Sequence, residues 1–370
     1  MKHIGFFHFA LLIICCTAAG CGNTSEGDNG TAGDTDISND DAGASTDPQS
    51  DISGMPIPPL DEVPVPSGPA SNLVILDWAG FKAALTYSFD DLHPSQAEHY
   101  DTLQNTGAHM TFFAVNAADA DMDTWRKAVE DGHEIGNHTA HHCHAGLSGE
   151  CAFGTALETE EAEIEECTKY IVENFGQKDV WTMAAPYGET WWGTFIASDY
   201  FFLNRSVTDG TIAPNDDSKP LNLPSVMLSG TASASSLIRD IDSVYAEGKW
   251  LIFCIHAILP TAFDADWGTD IDIITSSIEH GQSLGDLWID SMVNVGAYWM
   301  GQQVLAAVEP ATFGDETVWT WTLPDHFPTG KCLRVKVDGG TLSQNGRALS
   351  WSPHGYYEVA LDDGVLTLSP

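Results

Sequence analysis

The chain has 370 residues, with 14 Lys+Arg against 53 Asp+Glu and a formal net charge of −39. A surface this acidic repels a phosphate backbone and excludes nucleic acid as a partner, while a neutral or cationic polymer is tolerated or attracted. At 43% hydrophobic residues the chain can still bury a sizeable core.

Lys2, an apolar run over 4–16 and the small residues Thr17, Ala18, Ala19 and Gly20 read as an export signal. The run is too short to span a bilayer. Small residues directly before Cys21 resemble a bacterial lipoprotein signal over 1–21, although the Leu preferred three places before the cysteine is Ala18 here. The resemblance implies a lipidated Cys21 and a protein exported and anchored to the bacterial cell envelope, periplasmic or surface-exposed. Ordinary cleavage with Cys21 unmodified is the alternative. Residues 22–72 follow as an acidic, then Pro-rich stretch. Over 22–68 they hold ten acidic residues and no basic or aromatic one. Such a segment cannot offset its chain entropy by burial, so a disordered linker is predicted, stiff and extended in its last third.

From residue 73 to about 308, short apolar runs alternate with helical patterns. Strands are predicted at 73–78 (LVILDW), 83–89 (AALTYSF), 110–115 (MTFFAV) and 133–138 (HEIGNH), with further strands in VWTMAAP, YFFLNRSV and WLIFCIHAI. Helices are predicted over 94–105, 121–131, 157–175 and near 235–247. In the third, Ile164, Cys167, Ile171 and Phe175 keep a 3.6-residue stripe and Gly176 follows. This alternation argues for a parallel α/β architecture, barrel or doubly wound. After 308 only short strands separated by Gly, Pro, Asn and Asp remain, which predicts a small all-β domain over 309–370. Its Trp319, Trp321, Trp351, Tyr356 and Tyr357 are either core residues or a sugar platform, the core being the commoner case.

Eight cysteines are present, three of them within 1–21. The remaining five are odd in number, so at least one is unpaired. Cys143 and Cys151, closing the short stretch CHAGLSGEC, are the favoured disulfide, with Cys167 as a competitor. Cys254, inside the apolar WLIFCI, reads as a buried free thiol.

His138, His141, His142 and His144 fall within seven residues. His138 and His142 stand at i and i+4, a spacing that puts both on one face of a helical turn. His141 and His144 are then bystanders. Asp90 and Asp91 follow a predicted strand, at the end where parallel α/β folds gather their sites. Adjacent carboxylates point different ways, so one can ligate a metal while the other takes a proton. Two imidazoles and a carboxylate leave a fourth position open on a zinc-type ion. A glycosidase pair would need its carboxyls on opposite sides of a bond, which neighbours in one turn do poorly.

SFDDL, HTAHH, APYG and IHAI, in that order, resemble the successive motifs of the polysaccharide deacetylases, the carbohydrate esterase family 4 or NodB-homology domain. The resemblance covers about 73–305. It implies a distorted (β/α) barrel, a divalent metal, usually Zn2+, and an acetylated glycan as substrate. By resemblance Asp91, His138 and His142 are the metal ligands, Asp90 the general base and His256 the general acid. Tyr187, after Pro186, supplies the backbone N–H for the oxyanion. Two departures stand out. The Gly that usually ends the first motif is Leu92, so the turn is expected to avoid the conformation Gly allows. The Arg usually two residues before the Pro is Ala184. Arg205 is the candidate replacement from the next strand, and Asp209 the candidate that orients His256. The expected activity is a metal-dependent polysaccharide deacetylase acting as a monomer, with N-acetylglucosamine-type glycans preferred. The alternatives are an O-acetyl xylan esterase with the same site, and a catalytically impaired surface glycan-binding lipoprotein.

Overall fold

A computed structural model of the chain describes residues 53–116, 120–263, 265 and 267–370. The signal, Cys21 and most of the expected linker lie outside the described residues. No helix among the described residues is long and apolar enough to cross a membrane.

A short strand β1 (Val74–Ile75) leads to β2 (Ala83–Phe89), β3 (Thr111–Ala114), β4 (Glu134–Asn137), β5 (Thr182–Ala184), β6 (Leu203–Arg205), β7 (Val226–Met227) and β8 (Trp250–Ile255). A small pair, β9 (Ile258–Leu259) with β10 (Thr269–Asp270), precedes β11 (Leu287–Ile289). The main sheet runs β6-β5-β4-β3-β2-β8-β7, with β11 beside the first half of β2, and every pairing in it is parallel. Its two ends meet through residues 223–227. Leu223 exchanges backbone bonds with Asn204 and Ser206 beyond β6, and Val226–Met227 pair with β8. The sheet therefore curls into a barrel. The intervening helices are α1 (Pro94–Glu98), α2 (Tyr100–Gln104), α3 (Met122–Glu130), α4 (Glu160–Phe175), α5 (Ala234–Glu247), α6 (Ile271–Ser283) and α7 (Met292–Ala306).

Strand alternation divides the core in two. Leu85, Tyr87 and Phe89 of β2 join Phe112, Ile135, Met183 and Phe253 under the surrounding helices. Ala84 joins Phe113, Ala184, Leu203, Trp250 and Ile252 in the barrel interior. That inner core continues along α7, which is apolar nearly all round, into Trp319, Leu333 and Val359 of the C-terminal strands. Thr111 Oγ1 and Glu134 Oε2 accept from the amides of Met292 and Val293, at 2.8 and 2.9 Å, so two interior side chains satisfy the open N-terminus of α7.

The C-terminal strands are β12 (Ala311–Phe313), β13 (Glu316–Thr320), β14 (Cys332–Lys336), β15 (Thr341–Gln344), β16 (Arg347–Ala348), β17 (Trp351–Ser352), β18 (Tyr356–Ala360) and β19 (Val365–Ser369). They form two antiparallel sheets, β1-β14-β18-β17 and β12-β13-β19-β15-β16. The structure departs here from the sequence reading. The 73–78 run gives only a two-residue strand, and this belongs to the C-terminal sheet rather than the barrel, because Trp78 and Ala79 adopt positive φ and turn the chain away. The 94–105 helix is two short helices broken at His99, whose φ and ψ leave the helical region. The end of the expected linker is fixed. Gly68 and Val63 donate to Asp338 and Pro353, and buried Arg334 donates to the carbonyls of Pro56 and Ala79. Proline removes donors but leaves carbonyls, and a buried guanidinium collects them. The C-terminal aromatics offered as a sugar platform are structural: Trp319, Trp321, Tyr356 and Tyr357 are buried, and half-buried Trp351 packs on Tyr357.

Candidate metal centre and active site

Asp90 directly follows β2, and its amide donates to the Ile255 carbonyl of β8. The chain then turns through two left-handed residues, Asp91 at φ 74° and Leu92 at φ 47°. The expectation that Leu92 avoids the conformation of Gly is overturned. Its side chain is 1% exposed in the outer core, and that burial offsets a backbone strain of roughly 1–3 kcal/mol. The turn sends Asp90 into the barrel and Asp91 to its mouth.

The histidine loop leaves β4 at Asn137. Asn137 is buried, donates to Ile164 O and Thr168 Oγ1 of α4, and accepts from Thr139 N. Gly136 is required just before it, since a Cβ there would lie 2.4 Å from the Phe113 ring. The loop is not the helical turn that the i, i+4 spacing suggests. Thr139 and His142 adopt φ 62° and 51°, and the Thr139 hydroxyl accepts from His142 N. The two rings still converge, with centroids 4.7 Å apart. His141 turns outward to Glu163 of α4, at 3.0 Å. His144 stacks on the Tyr187 ring. A disulfide joins Cys143 to Cys151 behind the loop. Cys167, Cys254 and Cys332 are free and buried.

Asp91 Oδ1 lies 3.6 Å from His138 Nε2 and 4.0 Å from His142 Nε2. Around a tetrahedral ion with bonds of about 2.1 Å, ligand atoms stand ~3.4 Å apart, so the set closes on a divalent ion with small shifts. Asp91 Oδ1 and His138 Nε2 are buried and lack hydrogen-bond partners among the described residues. The carbonyl of Ala184 accepts from His138 Nδ1 at 2.8 Å, which leaves Nε2 with its lone pair facing the site. Burial and the neighbouring Asp90 charge push Asp91 up to about 7, and burial lowers His138 to about 4. A cation would relieve both groups, and the oxygen and nitrogen donors suit zinc.

Behind this set, Arg205 Nη2 donates to both Asp90 oxygens, at 2.5 and 2.6 Å. Arg205 is fully buried at the end of β6, over the Phe113 ring, and its register partner across the sheet is Ala184. Burial raises the Asp90 pKa, but the charges of Arg205, His138 and His256 outweigh it and hold the carboxyl well below its ordinary range. Asp90, Cys254 and His256 also stand within ligand reach of one another. Arg205 already neutralises Asp90, which disfavours a second cation there.

His256 Nε2 lies 3.8 Å from Asp90 Oδ2. Asp209, the candidate that orients His256, is exposed in the loop after β6. His256 Nδ1 is buried without a hydrogen-bond partner among the described residues. Gln96, from α1, does the bridging instead. Its Nε2 donates to the Asp90 carbonyl at 2.7 Å and to the His256 carbonyl at 2.9 Å. The Cys254 thiol donates to Asp90 Oδ2 at 3.4 Å. Gln96, Asn137 and Cys254 carry no motif signal. Their value appears only when segments far apart in the chain meet.

Pro186 is buried and starts a tight turn in which Tyr187 takes φ 56°. Asp90, Asp91, His138, His142, Tyr187 and His256 line one cavity of about 370 Å³, with Met227 and Trp267 at its rim. Asp91, Leu92, Thr139, His142 and Tyr187 concentrate left-handed backbone around it, as functional sites often do.

Residues 81–197 match the family model described as Polysaccharide deacetylase. That stretch holds the Asp pair, the histidine loop and the Pro186–Tyr187 turn, and supports a polysaccharide deacetylase domain there. Arg205 and His256 lie beyond it. A gellan lyase of a Bacillus species is 24% identical over 212 residues, which is 56% of this chain and 8% of that protein. The chain thus spans less than a tenth of that curated relative. A solved T48 deacetylase with substrate is similar at a TM-score of 0.41 and 16% identity, over 60% of this chain and 94% of that one. The catalytic domain of a peptidoglycan N-acetylglucosamine deacetylase from Eubacterium rectale gives 0.37 and 16%, over 62% and 92%. A family 4 carbohydrate esterase from Bacillus subtilis gives 0.40 and 14%, over 60% and 84%.

Proposed function

We propose that this protein is an exported, metal-dependent hydrolase that removes acetyl groups from a polysaccharide, with N-acetylglucosamine-type glycans preferred. The observation that carries the reading is one cavity with two complementary walls. Asp91, His138 and His142 form a three-donor set on one wall. Asp90, held by Arg205, faces His256 on the other.

In this reading Asp91, His138 and His142 hold the ion. A divalent ion held there, most simply Zn2+, would supply Lewis acidity to the acetyl carbonyl and to a reacting water. Asp90 stays ionised against Arg205 and takes a proton from the attacking water. The Tyr187 amide donates to the oxygen that gains negative charge. His256 delivers a proton to the departing nitrogen, because an unprotonated amide nitrogen leaves poorly. Outside the cavity, Cys21 is proposed to carry the lipid anchor.

The Arg205–Asp90 pair bears on the alternative of an impaired binding lipoprotein. Departures in the third and fourth motifs motivate that alternative, and for the third, Arg205 stands beside Ala184 with its charge on the base. The test is acetate release from N-acetylated chito-oligosaccharides and O-acetylated xylan. Release that stops with chelator and with Asp90→Asn supports the reading. Glycan binding without acetate release from any substrate would sink it.

A further inference from the structure

We propose that the glycan does not end in the catalytic cavity but continues onto a second sugar subsite built by Trp191 and Phe195. The proposal rests on the polysaccharide reading above and adds where the chain runs and what holds it.

Tyr187 lines the catalytic cavity. Its ring is stacked on His144, centroids 3.7 Å apart and 8° from parallel. His144 Nδ1 in turn bonds Glu189 Oε1 at 2.8 Å. Glu189, Thr190 and Trp191 line a second, open cavity of about 450 Å³ with Ala145 and Gly146. Tyr187 lines the first space and Glu189 the second, and His144, in contact with both, links the two.

Trp191 and Phe195 are 45% and 56% exposed, with ring centroids 4.2 Å apart. Two exposed aromatics in contact make a contiguous apolar patch, the kind of surface that marks interaction sites. Trp191 is not a loose side chain. Its Nε1–H donates to Glu160 Oε1 at 3.1 Å, and that same oxygen accepts from Gly146 N at 2.6 Å. The indole is thus fixed in orientation with much of its surface open. An oriented aromatic face flanked by carboxylates has the chemistry of a pyranose subsite. The ring takes the apolar C–H face, and Glu160 and Glu189 accept from hydroxyl or ammonium groups. A net charge of −39 selects a neutral or amine-bearing sugar over an acidic one. Both sugars are met in the hexosamine polymer of the proposed function, whole or already partly deacetylated, and the subsite is assigned to it.

The experiment uses the metal-loaded protein and N-acetylated chito-oligosaccharides from dimer to hexamer. KM should fall with length in the wild type. Trp191→Ala should raise the KM for the hexamer about tenfold and flatten the length dependence, while Trp191→Phe restores part of it. Phe195→Ser should act in the same direction, and it serves if Trp191→Ala fails to fold. An unchanged hexamer-to-dimer KM ratio in both folded variants overturns the subsite. Calorimetric binding of the hexamer separates this proposal from the deacetylase reading. If no acetate is released, hexamer binding lost on Trp191→Ala still supports the subsite. A wild type that binds no hexamer overturns it.

Discussion

The guanidinium of Arg205 meets the carboxylate of Asp90 through one nitrogen, Nη2, in a place shut off from solvent. Removing one partner of such a pair strands the other charge without water. Arg205→Ala should therefore destabilise the fold by roughly 3–5 kcal/mol and let burial raise the Asp90 pKa. Acetate release should fall about a hundredfold or more while metal content stays near stoichiometric, because Arg205 touches none of the three donors. Turnover equal to wild type, in protein with normal metal content, would remove Arg205 from the machinery.

The metal donors should separate from the proton-handling groups. His138→Ala and Asp91→Ala should lose bound metal, measured by elemental analysis of the purified protein, and lose acetate release with it. Asp90→Asn should keep its metal and lose the rate alone. Chelation followed by added zinc should restore the wild type and leave Asp90→Asn inactive.

Gln96 offers a subtler test, as a positioning residue. Gln96→Leu keeps the volume but deletes both bonds that tie the Asp90 and His256 backbones together. Each such bond contributes about 1 kcal/mol. The expected result is a kcat roughly tenfold lower, with metal content and KM little changed. A shift in KM with no change in kcat would contradict this role.

His133 should give the fold an acid limit. Its Nδ1 accepts from Met110 N and its Nε2 faces Gln104 Oε1, an arrangement that needs the neutral ring. Burial first, then the charge of His109, lower its pKa to about 4. The unfolded chain, with an ordinary value near ~6.5, takes up the proton first. The stabilisation is therefore complete above that value and is lost as pH falls toward 4, a loss on the order of 2–3 kcal/mol. Melting curves between neutral pH and pH 4 should show it. His133→Gln, which does not titrate, should lose less over the same range.

Leu92→Gly sets two effects against each other. Glycine relieves the left-handed strain at φ 47°, a gain of roughly 1–3 kcal/mol. It also deletes a buried leucine side chain, a loss of roughly 3–5 kcal/mol. Packing should win, giving a melting temperature lower than wild type. A more stable variant would mean that strain dominates at this turn.

Much of this was legible in the residues. The ends of α4 are written in Thr159, which caps its first turn, and Gly176, which ends it in the left-handed region. The Asp pair and the histidine loop announced themselves through residue type and density. The i, i+4 logic brought His138 and His142 together for the wrong geometric reason, since side-chain spacing does not reveal backbone φ. Leu92 misled in the same way, because burial can support a conformation that propensity disfavours. Asp209 stands in for an Asp that the resemblance implies, and burial decides such questions: it is exposed, while neutral Gln96 sits at the joint. The fixing of residues 53–72 was hidden because their partner, Arg334, lies far along the chain.

The pairing of Ala184 with Arg205 reaches beyond this protein's own chemistry. Register partners on adjacent parallel strands point the same way, at the same height along the barrel axis, about 4.8 Å apart. A cation at that height can neutralise the same carboxylate from either strand. What a barrel has to conserve is a floor, and which strand furnishes it can change hands. A pattern that tracks one strand reads the exchange as a loss, although the interior still contains the same charge. An apparently missing inward residue in such a barrel is therefore first to be sought one strand over, at the same level.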